Sequence, residues 1–172
     1  MTILSDVKLD ECTPVRVWAA LDPGTRQLAA QALFDGDPEM RAQAVQAIAA
    51  TLNFRPAGVR KLSPERRIEY LASRVRPDDS LASSLLLALH LGERQVLLGA
   101  FLDELGIPNE DGLIDADVEP EPVGADRLAP AITAIRERFP ADEVDLYLLS
   151  LLALDPDTWG AVAEVLTPPD AS

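Results

Sequence analysis

The sequence predicts an all-α protein, and three observations carry that reading. Five places pair a capping residue with a following proline: Thr13-Pro14, Asp22-Pro23, Asp37-Pro38, Ser63-Pro64 and Asp155-Pro156. Proline at the first helical position loses no hydrogen bond, and the side chain before it accepts from an orphan backbone N–H. Downstream of these starts apolar residues recur at spacings of three and four, and no segment alternates with period two. Four Phe, two Trp and two Tyr among 172 residues leave Leu and Ala to fill the core, which favours helices over sheets.

After the helix that opens at Pro14, the second helix carries Leu28, Ala29, Ala32 and Leu33 on one face. The third carries Met40, Ala44, Ala47, Ile48 and Leu52. From Pro64 onward Ile68, Leu71, Ala72 and Val75 form a stripe. Residues 78–106 then read as two consecutive helices at the centre of the fold. Asp78, Asp79 and Ser80 offer capping oxygens, and Leu81, Leu85, Leu86, Leu87, Leu89 and Leu91 leave little polar surface. A helix apolar on nearly every side must be wrapped by others.

Gly92 permits a turn, and Glu93 and Arg94 open the partner helix with Val96, Leu97, Leu98, Phe101, Leu102 and Leu105. That helix ends at Leu105-Gly106-Ile107-Pro108, with a glycine where the left-handed residue sits and a proline just beyond. The apolar run of the first helix stops at Gly92 and contains Ser83, Ser84 and His90. It falls short of the roughly 20 apolar residues of a membrane span, so no membrane partner is expected. Three further helices are marked by Leu128, Ile132, Ile135 and Phe139, by Val144, Tyr147, Leu148, Leu151 and Leu152, and by Trp159, Val162, Ala163 and Leu166. The expected architecture is a compact bundle of about eight or nine helices in antiparallel hairpins around the 78–106 pair. One domain over residues 1–172 is expected, with the acidic, proline-containing loop at 107–125 as an internal seam.

The net charge of −14 is unevenly placed. Residues 1–94 hold twelve basic and twelve acidic side chains, whereas residues 95–172 hold three against seventeen. Within 55–76, Arg55, Arg60, Lys61, Arg66, Arg67, Arg74 and Arg76 face only Glu65 and Glu69, a local +5. Residues 103–126 hold nine carboxylates and no base. Such segments either compensate each other and serve solubility, or steer a partner of opposite charge. The expectation adopted is a non-enzymatic protein that binds another protein, of unidentified kind, through two sets of residues. One set is Arg55, Arg60, Lys61, Arg66 and Arg67; the other is Glu110, Asp111, Asp115 and Asp117. The start MTILSDVKLDEC lacks a basic stretch followed by an apolar one, so a cytoplasmic location is expected.

Three short stretches resemble known motifs. Asp37-Pro38-Glu39-Met40-Arg41, followed by Ala42, Ala44, Ala47, Ile48 and Leu52, resembles HEAT-type helical repeats over about residues 35–55. That resemblance implies a helix-pair scaffold that binds other macromolecules. Residues 48–62, with Ile48-Ala49, Leu52, Asn53 at the turn and Val59 facing inward, look like the helix-turn-helix of bacterial regulators. That likeness implies DNA binding with Arg55, Arg60 and Lys61 toward phosphate, although Ser63-Pro64 cuts the would-be recognition helix short. Asn109, Asp111, Gly112, Ile114 and Asp115 fit positions of an EF-hand loop, but Ile107 and Val118 stand where its first and last ligands belong.

Catalytic sets find little support in the sequence. A single Cys (Cys12) and a single His (His90) exclude the usual Cys/His zinc site and an intrachain disulfide. There is no Gly-rich phosphate loop and no nucleophile elbow, and no cofactor or metal is expected. His90 reads as a hydrogen-bonded core residue and Cys12 as a small buried one. An enzyme or small-ligand binder built on Asp103, Glu104 or Glu110 is the third reading, with no spacing that singles out a pair.

Overall fold

The computed structural model describes residues 3–169. Among these lie eleven α-helices: α1 (Pro14–Ala20), α2 (Pro23–Asp35), α3 (Pro38–Leu52), α4 (Pro56–Arg60), α5 (Pro64–Ser73), α6 (Asp79–Glu93), α7 (Gln95–Glu104), α8 (Ala125–Arg138), α9 (Ala141–Leu154), α10 (Pro156–Trp159) and α11 (Val162–Leu166). One two-stranded hairpin, β1 (Asn109–Glu110) and β2 (Leu113–Ile114), is the only sheet among the described residues. The protein is all-α.

All five proline-marked starts open a helix at that proline, and each cap is closed. The Asp22 carboxylate accepts from the Thr25 N–H at 2.9 Å and from the Thr25 hydroxyl at 2.6 Å. Asp37 accepts from the Glu39 N–H at 2.7 Å, Ser63 from Arg66 at 3.3 Å, Thr13 from Arg16 at 3.3 Å, and Asp155 from Thr158 at 3.2 Å. Asp78 caps α6 in the same way, accepting from the Leu81 N–H at 2.9 Å. The helix ends are built with equal economy. Gly106 has φ +69, and its N–H and that of Ile107 reach back to Asp103 and Leu102, closing α7. Asn53 does this for α3 with φ 55.

The chain divides into two compact units, one of Leu21–Glu93 and one of the residues up to Ala20 together with those from Arg94. The division falls between α6 and α7, the two helices of the apolar stretch at 78–106. Each helix buries its leucines within a different unit. The loop at 107–125, expected as the seam, lies wholly inside the second of these units. Apolar periodicity reports how much of a helix must be covered, not which helix covers it.

In the Leu21–Glu93 unit, α2 packs along α5 and α6 and also against α3, and α4 rests on α3. Leu85, Leu86 and Leu89 of α6 and Ala29, Ala30 and Leu33 of α2 are fully buried. Gly92 is still helical; the break comes at Arg94. Its role is close approach, because a Cβ there would stand 3.1 Å from the Ala32 Cβ.

In the other unit the enclosed helix is α9, buried at every position from 144 to 150. It packs on α1, α8, α10 and α11. Phe101 of α7 meets Tyr147 edge-on at 5.4 Å and Trp159 at 5.7 Å. Asp145 is buried inside α9 and is satisfied by Arg136 of α8 at 2.6 Å. No single helix among the described residues is long and apolar enough to cross a membrane.

The hydrogen bonds from Thr25 hold the Asp22 carboxyl below its ordinary value of 3.8. A group lowered on folding stabilises fully above its unfolded value and loses that contribution as pH falls through the folded one. Asp22→Ala is therefore expected to cost about 1 kcal/mol at neutral pH. In urea titrations at successive pH values, the gap between wild type and variant should close as pH drops below 3.8.

Candidate binding surfaces

The predicted basic residues fall into two groups. Arg55 precedes α4, Arg60 ends it, Lys61 follows it, and Arg66 sits in the first turn of α5; all four are exposed. Arg74 and Arg76 lie past the other end of α5, roughly 15 Å away along a ten-residue helix. Among the described residues none of these six makes an ion pair with a carboxylate. Arg67 differs from its neighbour Arg66. It is half-buried, with its guanidinium 5.5 Å from the centre of the Phe34 ring, so its charge is engaged within the unit. Arg66 and Arg67 also occupy a helix N-terminus, where the backbone dipole disfavours cations.

Sequence reasoning missed one member of this surface. Phe54 is 49% exposed, immediately before Arg55. Its N–H is fixed to the Ala49 carbonyl at 2.9 Å by the left-handed Asn53, so the backbone holds the ring outside the core. An aromatic residue among arginines is the composition that interface anchors favour.

The predicted acidic residues are brought together by a turn. Asp111 and Gly112 both have positive φ, 50° and 85°, and link β1 to β2 as a type I′ hairpin with Asn109 opposite Ile114 and Glu110 opposite Leu113. The ladder continues through the Asp115 N–H to the Pro108 carbonyl at 3.2 Å. Asp-Gly between two short extended pairs is the sequence signal for it. Among the described residues no three His, Cys, Asp or Glu side chains form a metal-binding group. The Asn109 amide donates to Asp103 of α7 at 2.9 Å, and the hairpin packs on α7. Gly112 lets it lie close, since a Cβ there would overlap that of Leu98.

Glu110, Asp111, Asp115 and Asp117 then border one open depression of about 610 Å³, with Leu113, Ile114 and Val118 in its wall. Leu113 is 52% exposed, and Val96, beside the Gln95 that also lines the depression, is 75% exposed. Among the described residues these four carboxylates accept no hydrogen bond or ion pair.

The remaining chemistry-bearing residues lie in packed places. Cys12 is half-buried with its thiol toward the Leu149 carbonyl at 3.5 Å, and burial pushes it up to about 11, so it stays protonated near neutral pH. His90 is buried within α6. Asp103 holds Asn109, while Glu104 lies 4.0 Å from Arg138 in an exposed pair.

No protein-family model matches this chain, and no curated protein or solved structure matches it significantly.

Gly112→Ala places a Cβ at a positive φ and against Leu98, and is expected to cost about 1–3 kcal/mol. Amide exchange should show protection lost at residues 110–115 while α9 keeps its own.

Proposed function

We propose that this chain is a non-enzymatic helical protein that binds another protein through two surfaces of opposite charge. One is the basic surface of Phe54, Arg55, Arg60, Lys61 and Arg66; the other is the acid-rimmed hairpin of Glu110, Asp111, Asp115 and Asp117. A scaffold of helix pairs, as the HEAT-like stretch at 35–55 implies, fits the same reading.

The observation that supports it most is a contrast in how charge is used. In the acidic unit Arg16 pairs with Glu11, Arg136 with Asp145 and Arg138 with Glu104, and Arg127 donates to the Leu105 carbonyl. In the Leu21–Glu93 unit the clustered bases stand exposed and unpaired among the described residues. Exposed pairs contribute little to stability, so a charge cluster with no internal partner is better accounted for by an external one.

The helix-turn-helix reading is favoured by the left-handed Asn53 and the fully buried Val59, which reproduce the turn and the inward packing of that motif. Against it, α4 has five residues, about 7.5 Å, where a recognition helix must reach along a groove.

Tagged full-length chain should capture a defined partner whose binding falls at least about tenfold in Arg60→Glu/Lys61→Glu and weakens as salt rises. A partner retained by that variant and indifferent to salt would contradict the proposal. Steeply salt-dependent retardation of duplex DNA, abolished by the same variant, would favour the second reading.

A further inference from the structure

We propose that the occupant of the hairpin face is the basic surface of a second copy of this chain. This rests on the interaction reading above and names its partner. The two faces match in two independent respects. Each has an exposed apolar anchor, Phe54 on one and Leu113 on the other. Charge of one sign dominates beside each: Arg55 follows Phe54 directly, with Arg60, Lys61 and Arg66 exposed further along the same segment against Glu65 alone, and Glu110, Asp111, Asp115 and Asp117 border the depression that Leu113 lines. An apolar centre with a charged rim is the anatomy of a protein interface, and rim charges of opposite sign set register and encounter rate.

Both faces are prepared before any partner arrives. The Asn53 turn fixes Phe54 outward, and the type I′ hairpin seated on α7 through Gly112 fixes Leu113. Little ordering entropy is then lost on association. The net charge of −14 opposes the approach of two copies at long range. That opposition does not reach the contact itself. The residues of Leu21–Glu93 carry nine basic and nine acidic side chains, so the approaching unit has no net charge. At about 0.1 M salt the Debye length is about 10 Å, which screens distant charges more than touching ones.

A pair of charge reversals tests this on the full chain. Arg60→Glu/Lys61→Glu cancels the positive charge of one face and Asp115→Lys/Asp117→Lys cancels the negative charge of the other, so each variant keeps one native face and only their mixture holds both. In sedimentation at about 0.1 M salt, the wild type should rise above the single-chain mass of 18.6 kDa with increasing concentration and return to it at about 1 M salt. Each variant alone should stay at the single-chain mass, and their equimolar mixture should associate. Circular dichroism of each variant checks that the helices are intact.

A wild type that stays at the single-chain mass up to about millimolar concentration would overturn the inference, as would a mixture of folded variants that does not associate. Binding of an Arg/Lys-rich peptide to a single-chain wild type assigns the hairpin to a foreign segment and overturns it equally. In that case loss of a captured partner by Arg60→Glu/Lys61→Glu would still support the interaction reading, so the two fail separately.

Discussion

Leucine-rich helices with few aromatic residues around them can leave water only if their neighbours come very close. In the Leu21–Glu93 unit that closeness is set by small residues on the face α2 turns to α6. Ala29 and Ala30 are fully buried, and a Cβ on Gly92 would stand 3.1 Å from that of Ala32, tighter than ordinary contact. Leu85, Leu86, Leu89 and Leu33 are thereby fully enclosed. Each such leucine contributes about 2 kcal/mol of transfer free energy. Lengthening either small residue would strain this contact, which a close-packed interior relieves only by shifting its neighbours. The rest of the unit, α3 with α4 upon it and α5, closes the remaining sides of α2.

The second unit meets the same demand with shape instead of small residues. Its enclosed helix, α9, is flanked by the ring cluster of Phe101, Tyr147 and Trp159. Enclosure raises the Tyr147 hydroxyl above its ordinary value through desolvation. It also obliges buried polar groups of α9 to find partners: Asp145 takes Arg136, and the Ser150 hydroxyl donates to the Leu146 carbonyl at 2.7 Å. Bases used in this way leave the carboxylates of the hairpin without counter-charge, and the charge pattern on the surface follows from the packing beneath it.

What the sequence made legible was local. A cap and its proline lie within three residues of the group they satisfy, so all five starts could be read directly, as could the left-handed Gly106 and Asn53. Pairing between distant segments was not legible. The leucine run of α6 marks it as the helix to be enclosed, yet α9, whose first turn holds Asp142 and Glu143, is the more completely enclosed. Arg66 and Arg67 are adjacent in the chain but about 100° apart around α5, so one is exposed while the other lies over Phe34. Of the nine residues expected to bind a partner, the acidic four were brought to one depression by a turn whose Asp-Gly signal was present but masked by the carboxylates around it.

The dependence of the Leu21–Glu93 unit on the α2–α6 packing is open to one direct measurement, native-state hydrogen exchange resolved by residue. The slowest amides of that unit are expected at residues 29–33 and 85–89, with the five residues of α4 opening orders of magnitude faster. Exchange of residues 85–89 as fast as that of α4 would contradict it, because a helix fully covered by its neighbours cannot open more easily than one resting on the surface.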